Sequence, residues 1–305
     1  MKNWDKYFEA SDGTRIHYLD TGEGKPLIFL HGYGGNAEGF REQFKEIPTK
    51  FRCIVFDQRG YGESPLTESA CLKQSARDMR ELIEHLKFDS VTAVGYSMGA
   101  SVLFAYVEEY GCEYLEKAVI GDMTPKLLND ENWKLGLYQG WYTEEDAELD
   151  TAFLSKEETE ARSYYFMEQL FLKHMPEEER RCISPFENPE EYREWKKNLD
   201  AIEGMYIFDE QQVITNRYYM KSMAGSDFRK VLPRITIPSL LVYASPGSIY
   251  YEEIGRYVES QIPDTRFLVI EDATHLLTPE QNGQYIQAIC EFSCESEDAV
   301  CMQRK

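Results

Sequence analysis

The sequence predicts an α/β protein with a mostly parallel sheet, helices on both faces and an inserted helical segment. Three observations carry that expectation. Short apolar runs alternate with amphipathic helical stretches along most of the chain, as repeated strand–helix units require. Several of these runs are continuously apolar rather than alternating, which is the pattern of strands covered on both faces. The alternation stops over residues 126–225 and then resumes.

In order along the chain, residues 7–10 and 15–19 have strand character, and Ser11-Asp12-Gly13-Thr14 between them is a turn signal, so a hairpin opens the sheet. Leu27-Ile28-Phe29-Leu30 is a buried strand that runs into His31-Gly32-Tyr33-Gly34-Gly35. Helical spacing follows over 37–46, then a strand at 53–56 that ends in Asp57-Gln58-Arg59-Gly60-Tyr61-Gly62. Leu72, Ala76, Met79, Ile83 and Leu86 recur every three or four residues, the apolar stripe of a helix over 72–86. A strand at 91–94, a helix at 98–110 and a strand at 118–120 continue the alternation. After the interruption come strands at 240–243 and 267–270 and a closing helix over 279–292. The expected division is therefore a core of 1–125 and 226–305 with a helical cap, 126–225, inserted into it. Within the cap, 156–173 and 189–202 read as acidic, aromatic-bearing helices. Their Tyr and Trp residues serve helix packing first, and lining of a substrate cavity second.

Composition narrows the partners. With 42% hydrophobic and 13% aromatic residues among 305, the chain can build a sizeable core. A formal net charge of -21 and the lack of a basic cluster weigh against nucleic acid, whose binding needs grouped Lys and Arg, and against anionic membranes. The first residues, Met1-Lys2-Asn3-Trp4-Asp5-Lys6, lack the apolar core of a secretory signal. No apolar run approaches the ~20 residues of a bilayer span. A soluble, cytoplasmic protein is expected. Seven scattered cysteines, Cys53, Cys71, Cys112, Cys182, Cys290, Cys294 and Cys301, suit reduced thiols better than a disulfide framework. Cys290 and Cys294 share a helix face, but paired ligand spacing and a nearby His are missing, so no metal or other cofactor is assigned.

The strongest chemical signal is Gly95-Tyr96-Ser97-Met98-Gly99, a G-x-S-x-G between a buried strand and a helix. Such a turn strains the Ser backbone and presents its hydroxyl, and the glycines remove side chains that would collide in so tight a bend. A Gly-rich loop after an earlier strand can bring a second backbone N–H to the same point. The N–H groups of Tyr33 and Met98 are therefore the expected oxyanion donors. The loop lacks the Gly-Lys-Ser/Thr of a phosphate-binding P-loop. Of five histidines, His275 alone lies in a loop after the last strand, in Glu271-Asp272-Ala273-Thr274-His275, which makes it the candidate base.

Together, His31-Gly32, Asp57-Gln58-Arg59-Gly60-Tyr61-Gly62-Glu63-Ser64, Gly95-Tyr96-Ser97-Met98-Gly99 and His275 resemble the α/β-hydrolase superfamily. The likeness is strongest to its capped esterase, lactonase and cofactor-free perhydrolase branches. It covers nearly the whole chain outside the cap. In most members the triad acid follows the strand corresponding to 240–243, where this chain reads Ala244-Ser245-Pro246-Gly247-Ser248 and has no carboxylate. Some members place the acid one strand earlier, which here selects Asp122 of Gly121-Asp122-Met123-Thr124-Pro125. A structural role for Asp122 in the turn toward the cap is the alternative, and Glu252 and Asp272 are further substitutes. In this fold the Asp57–Arg59 turn is a structural corner. The resemblance implies a serine hydrolase for a small carboxylic ester or lactone, acting through an acyl-enzyme on Ser97. Its alternatives are perhydrolysis, with hydrogen peroxide replacing water, and a silent ligand-binding homologue. The dehalogenase and epoxide-hydrolase branches use an Asp nucleophile where this chain has Ser97. Oligomeric state is not legible.

Overall fold

In a computed structural model, which describes residues 4–140, 142–153, 210–247, 249–275, 277 and 279–294, the apolar runs become one eight-stranded sheet. Its strands are β1 (Asp5–Glu9), β2 (Arg15–Asp20), β3 (Lys25–Leu30), β4 (Phe51–Phe56), β5 (Val91–Tyr96), β6 (Leu115–Gly121), β7 (Ser239–Gly247) and β8 (Thr265–Thr274). In space they run β1-β2-β4-β3-β5-β6-β7-β8. The expected hairpin is present as the antiparallel pair β1/β2. β2 also pairs antiparallel with β4, and every later pair is parallel.

Side-chain alternation explains why the central strands are apolar throughout. Ile28, Leu30, Ile54, Phe56, Ala93 and Ile120 enter one core, whereas Leu27, Phe29, Val55, Val94 and Val119 enter the other, on the opposite face. The first core is covered by α2 (Leu72–Leu86) and α3 (Met98–Tyr110), both with the expected bounds. The second is covered by α1 (Arg41–Glu46), which contributes Phe44, and by a closing helix at Pro279–Cys294, which contributes Ile286, Ile289 and Phe292. The single helix expected over 37–46 is split. Asn36 accepts from Gly39 N–H and caps a separate 3-10 turn, Ala37–Phe40, ahead of α1.

Between β6 and β7 the described residues contain α4 (Glu144–Phe153) and α5 (Glu210–Ala224), with an isolated bridge pairing Lys126 and Asp227 at the base. The helices expected over 156–173 and 189–202 lie outside the described residues. Beyond β7, α6 (Glu253–Gln261) buries Ile254 and Val258, a two-residue stripe too short to have been read from the sequence. The closing helix is α7. Both last strands run further than their apolar centres: β7 and β8 stay paired to Gly247↔Thr274, past an irregularity at Ser245/Pro246. Residues 271–274, read as part of the loop that carries His275, are therefore strand, and His275 follows β8 directly. No helix among the described residues is long and apolar enough to cross a membrane.

β3 is the point where strand order reverses, with β4 on one side and β5 on the other. In open parallel sheets a crevice forms at such a switch, outside the C-terminal strand ends. The 31–35 loop and Ser97 follow the two strands that border it.

Candidate active site

Ser97 is the single residue between β5 and α3. Its backbone has φ 55° and ψ -129°, a region an L-residue enters only under constraint. Ser97 N–H donates to Gly121 O at 2.9 Å and its carbonyl accepts from Ala100 N–H at 2.8 Å, so strand pairing ends and helix begins across one residue. The flanking glycines are required by contact. A Cβ on Gly95 would lie 2.6 Å from Gly99 O, and one on Gly99 would lie 2.0 Å from Leu30 O.

His275 Nε2 lies 2.8 Å from Ser97 Oγ, and its Nδ1 lies 2.7 Å from Asp122 Oδ2. A carboxylate only accepts, so Nδ1 carries the ring proton and Nε2 is left to accept from the serine hydroxyl. Asp122 follows β6 with φ 37°, anchored by its N–H on Val242 O at 2.8 Å, and is 1% exposed. The three side chains converge because β5, β6 and β8 all end at the same edge. Asp272 and Glu252, the other acids weighed, are exposed.

The 31–35 loop abuts the serine: a Cβ on Gly32 would sit 3.5 Å from Ser97 Cβ. Gly35 N–H closes on Gly32 O at 3.1 Å with Gly34 at φ 73°, the pattern of a type II turn, which demands glycine in third place. Tyr33 is the second residue of that turn. Met98 opens α3, where N–H groups lack helical partners. His31 is scaffolding. Its Nε2 accepts from Gln58 N–H at 3.1 Å, Nδ1 donates to Gly32 O at 2.9 Å, and burial pushes its pKa below the usual imidazole value.

A serine hydroxyl on an imidazole, backed by a buried carboxylate, can surrender its proton as it attacks a carbonyl and have the resulting imidazolium stabilised. The sequence profile of the family described as alpha/beta hydrolase fold matches residues 25–280. The chain belongs to this α/β-hydrolase family. It is 25% identical over 293 residues to the non-heme chloroperoxidase CPO-A1 of Kitasatospora aureofaciens, covering 92% of this chain and 96% of that protein. An esterase from Exiguobacterium antarcticum superimposes with a TM-score of 0.74 at 22% identity, over 95% of this chain and 99% of that one. The enol-lactonase from Burkholderia xenovorans LB400 does so at 0.71 and 17% identity, over 95% and 100%.

In this α/β-hydrolase, the Asp57–Arg59 corner is structural, as expected. Asp57 accepts from Ala37 N–H at 2.6 Å and Glu63 N–H at 2.9 Å and pairs with His17 Nδ1 at 2.7 Å. Arg59 makes a bidentate, buried pair with Asp78, at 2.8 and 2.7 Å. Asp5, His17 and Glu63 bring possible ligand atoms within 4.8 Å of one another. Their bonds are already made elsewhere: Asp5 with Arg41, Glu63 with Tyr7, and His17 with Asp57. The described cysteines, Cys53, Cys71, Cys112, Cys290 and Cys294, are free thiols.

Two residues that sequence reasoning missed hold His275. Tyr96, the variable residue of the serine motif, donates to His275 O at 2.8 Å with its ring 5.6 Å from the imidazole. Tyr250 meets the same imidazole edge-on at 5.9 Å. Burial, and then the nearby Asp122 charge, pushes the Tyr250 and Tyr243 phenols well above their usual pKa, so both stay neutral beside the carboxylate. No local pattern could have announced either contact.

Proposed function

We propose that this chain is a serine hydrolase acting on a small carboxylic ester or lactone through an acyl-enzyme on Ser97. The observation that carries the reading is the line from Ser97 Oγ through both nitrogens of His275 to Asp122, at 2.8 and 2.7 Å. Ser97 Oγ attacks the carbonyl as Nε2 takes its proton, and the N–H groups of Tyr33 and Met98 receive the oxyanion. The imidazolium returns the proton to the leaving alkoxide. Water, deprotonated by His275, then releases the acid. The inserted segment 126–225 caps the edge where this happens, with 1–125 and 226–305 as the core. The setting is cytoplasmic, consistent with the free thiols.

The test is mass spectrometry after exposure to a fluorophosphonate, with Ser97→Ala as control, followed by an ester and lactone screen. Stoichiometric labelling at Ser97 is expected. A folded protein that takes up no label refutes the nucleophile and leaves a silent binding protein. The whole-length likeness to a chloroperoxidase favours a second reading, in which hydrogen peroxide attacks the acyl-enzyme and releases a peracid. The ratio of peracid to acid formed in the presence of peroxide separates the two.

A further inference from the structure

β6 ends its pairing with β7 at Gly121↔Val242, so Asp122 and Met123 are the first residues beyond it. Asp122 N–H still donates to Val242 O at 2.8 Å. One residue further the anchor is a side chain: the Tyr243 hydroxyl of β7 donates to Met123 O at 2.7 Å. A carbonyl can only accept, so the one phenol proton of Tyr243 is committed there. The Tyr250 hydroxyl reaches the same residue and donates to Met123 Sδ at 3.1 Å. Met123, Tyr243 and Tyr250 are each at most 3% exposed.

Asp122 sits between these anchors at φ 37°. A non-glycine residue in that region is strained and persists only where its surroundings over-determine it. The surroundings here are stiff. The Tyr243 ring stacks on Phe267, with centroids 5.8 Å and planes 11° apart, and a Cβ on Gly255 of α6 would stand 3.0 Å from Tyr243 Cγ. Tyr250 meets the His275 imidazole edge-on at 5.9 Å, so one side chain touches the base with its ring and Met123 with its hydroxyl. Val242 and Tyr243, which hold the two sides of Asp122, are neighbours on β7. That is the strand followed by Ala244-Ser245-Pro246-Gly247-Ser248, where the chain has no carboxylate.

We infer that Tyr243, together with Tyr250, is a positioning residue for Asp122: the two hydroxyls grip Met123, fix the chain that follows the left-handed Asp122 and so hold its carboxylate on His275 Nδ1. The inference rests on the reading of Ser97, His275 and Asp122 just proposed. β7 thus contributes no acid of its own but the hydroxyl that steadies the acid of β6. Loosening the grip lets the carboxylate drift from its 2.7 Å contact, and a misplacement of about 1 Å in an active site can cost ~10² in rate. The loss falls on the chemical step rather than on binding, because Asp122 acts on the imidazolium that forms there.

Tyr243→Phe keeps the stacked ring and removes only the hydroxyl. With p-nitrophenyl acetate, kcat is expected to fall about tenfold with KM within about twofold, short of the ~10² of a full misplacement. Tyr250→Phe should show the same pattern at about threefold or more, since its acceptor is a weak thioether. The deciding readout is the Asp122→Asn background, followed as p-nitrophenol released with enzyme in excess. There Tyr243→Phe should cost less than about twofold more, because no charge is left to place. A Tyr243→Phe enzyme within about twofold of wild type overturns the inference. So does a loss carried by KM, or one that recurs on Asp122→Asn, which marks a general weakening around the site. If Tyr243→Phe fails to fold, Tyr250→Phe decides alone by the same criteria. A wild-type protein that takes no fluorophosphonate sinks the underlying reading instead.

Discussion

Replacing Asp122 by Asn removes the charge behind His275 and little else. Asp122 sits at φ 37°, a left-handed conformation that Asn tolerates as well as Asp, so the backbone should not move. The carboxylate is buried and 2.7 Å from Nδ1. For an imidazolium and a carboxylate with charge centres ~4 Å apart at an effective dielectric of ~20, the lost attraction is about 4 kcal/mol. That corresponds to roughly 10³ in rate. If the new amide instead turns its NH2 toward Nδ1, the ring proton moves to Nε2, the serine proton has no acceptor, and the loss approaches ~10⁴. The expected result is a fall in p-nitrophenyl acetate turnover between about 10³ and 10⁴, with an unchanged melting temperature. Asp272→Asn and Glu252→Gln should stay within about twofold. A folded Asp122→Asn enzyme within tenfold of wild type would refute the reasoning and return Asp122 to a turn-capping role.

Ser97→Gly should abolish labelling yet raise stability by about 1 kcal/mol in urea unfolding, because relief of ~1–3 kcal/mol of strain exceeds the entropic cost of glycine; a destabilised variant argues against strain at this turn. Arg59→Met strands Asp78 in the core and should cost about 3–5 kcal/mol, much of it recovered by adding Asp78→Leu. Failure of the double variant to recover would mean that the pair itself stabilises the fold. Burial alone would lower the His17 pKa, but the Asp57 and Asp5 carboxylates outweigh it and raise the value above 6.5. The stabilisation from His17 is therefore complete below pH ~6.5 and lost as pH rises through the higher folded value. Chemical unfolding of wild type against His17→Gln across that window should show the wild-type advantage shrinking upward; an advantage that grows with pH reverses the sign.

Much of the fold was legible because its signals are local. Leu72–Leu86 and Met98–Tyr110 were read with their observed bounds, since α2 has an uninterrupted stripe and α3 is framed by the Gly95–Gly99 turn and Gly111. Strand ends were less legible: β7 and β8 extend through Ser245 and Glu271, which pair with each other whatever their own polarity. α6 was missed for want of length, and the 37–46 helix opens as a separate 3-10 turn, Ala37–Phe40, that the spacing did not reveal.

At the site, Ser97, His275 and the Gly-rich loop stood out because strained turns demand particular residues at fixed offsets. The acid did not, since orienting an imidazole asks only for a carboxylate at the right point in space. By itself the sequence determined which segments are strands and helices, where the tight turns fall and which serine sits in one, all properties of neighbours along the chain. Only the tertiary structure decided that Asp122 rather than Asp272 or Glu252 reaches His275, that Tyr96 and Tyr250 hold the ring, and that Tyr61 meets an asparagine 155 residues away. These contacts follow from strand order and helix seating, which bring together residues that no periodicity links.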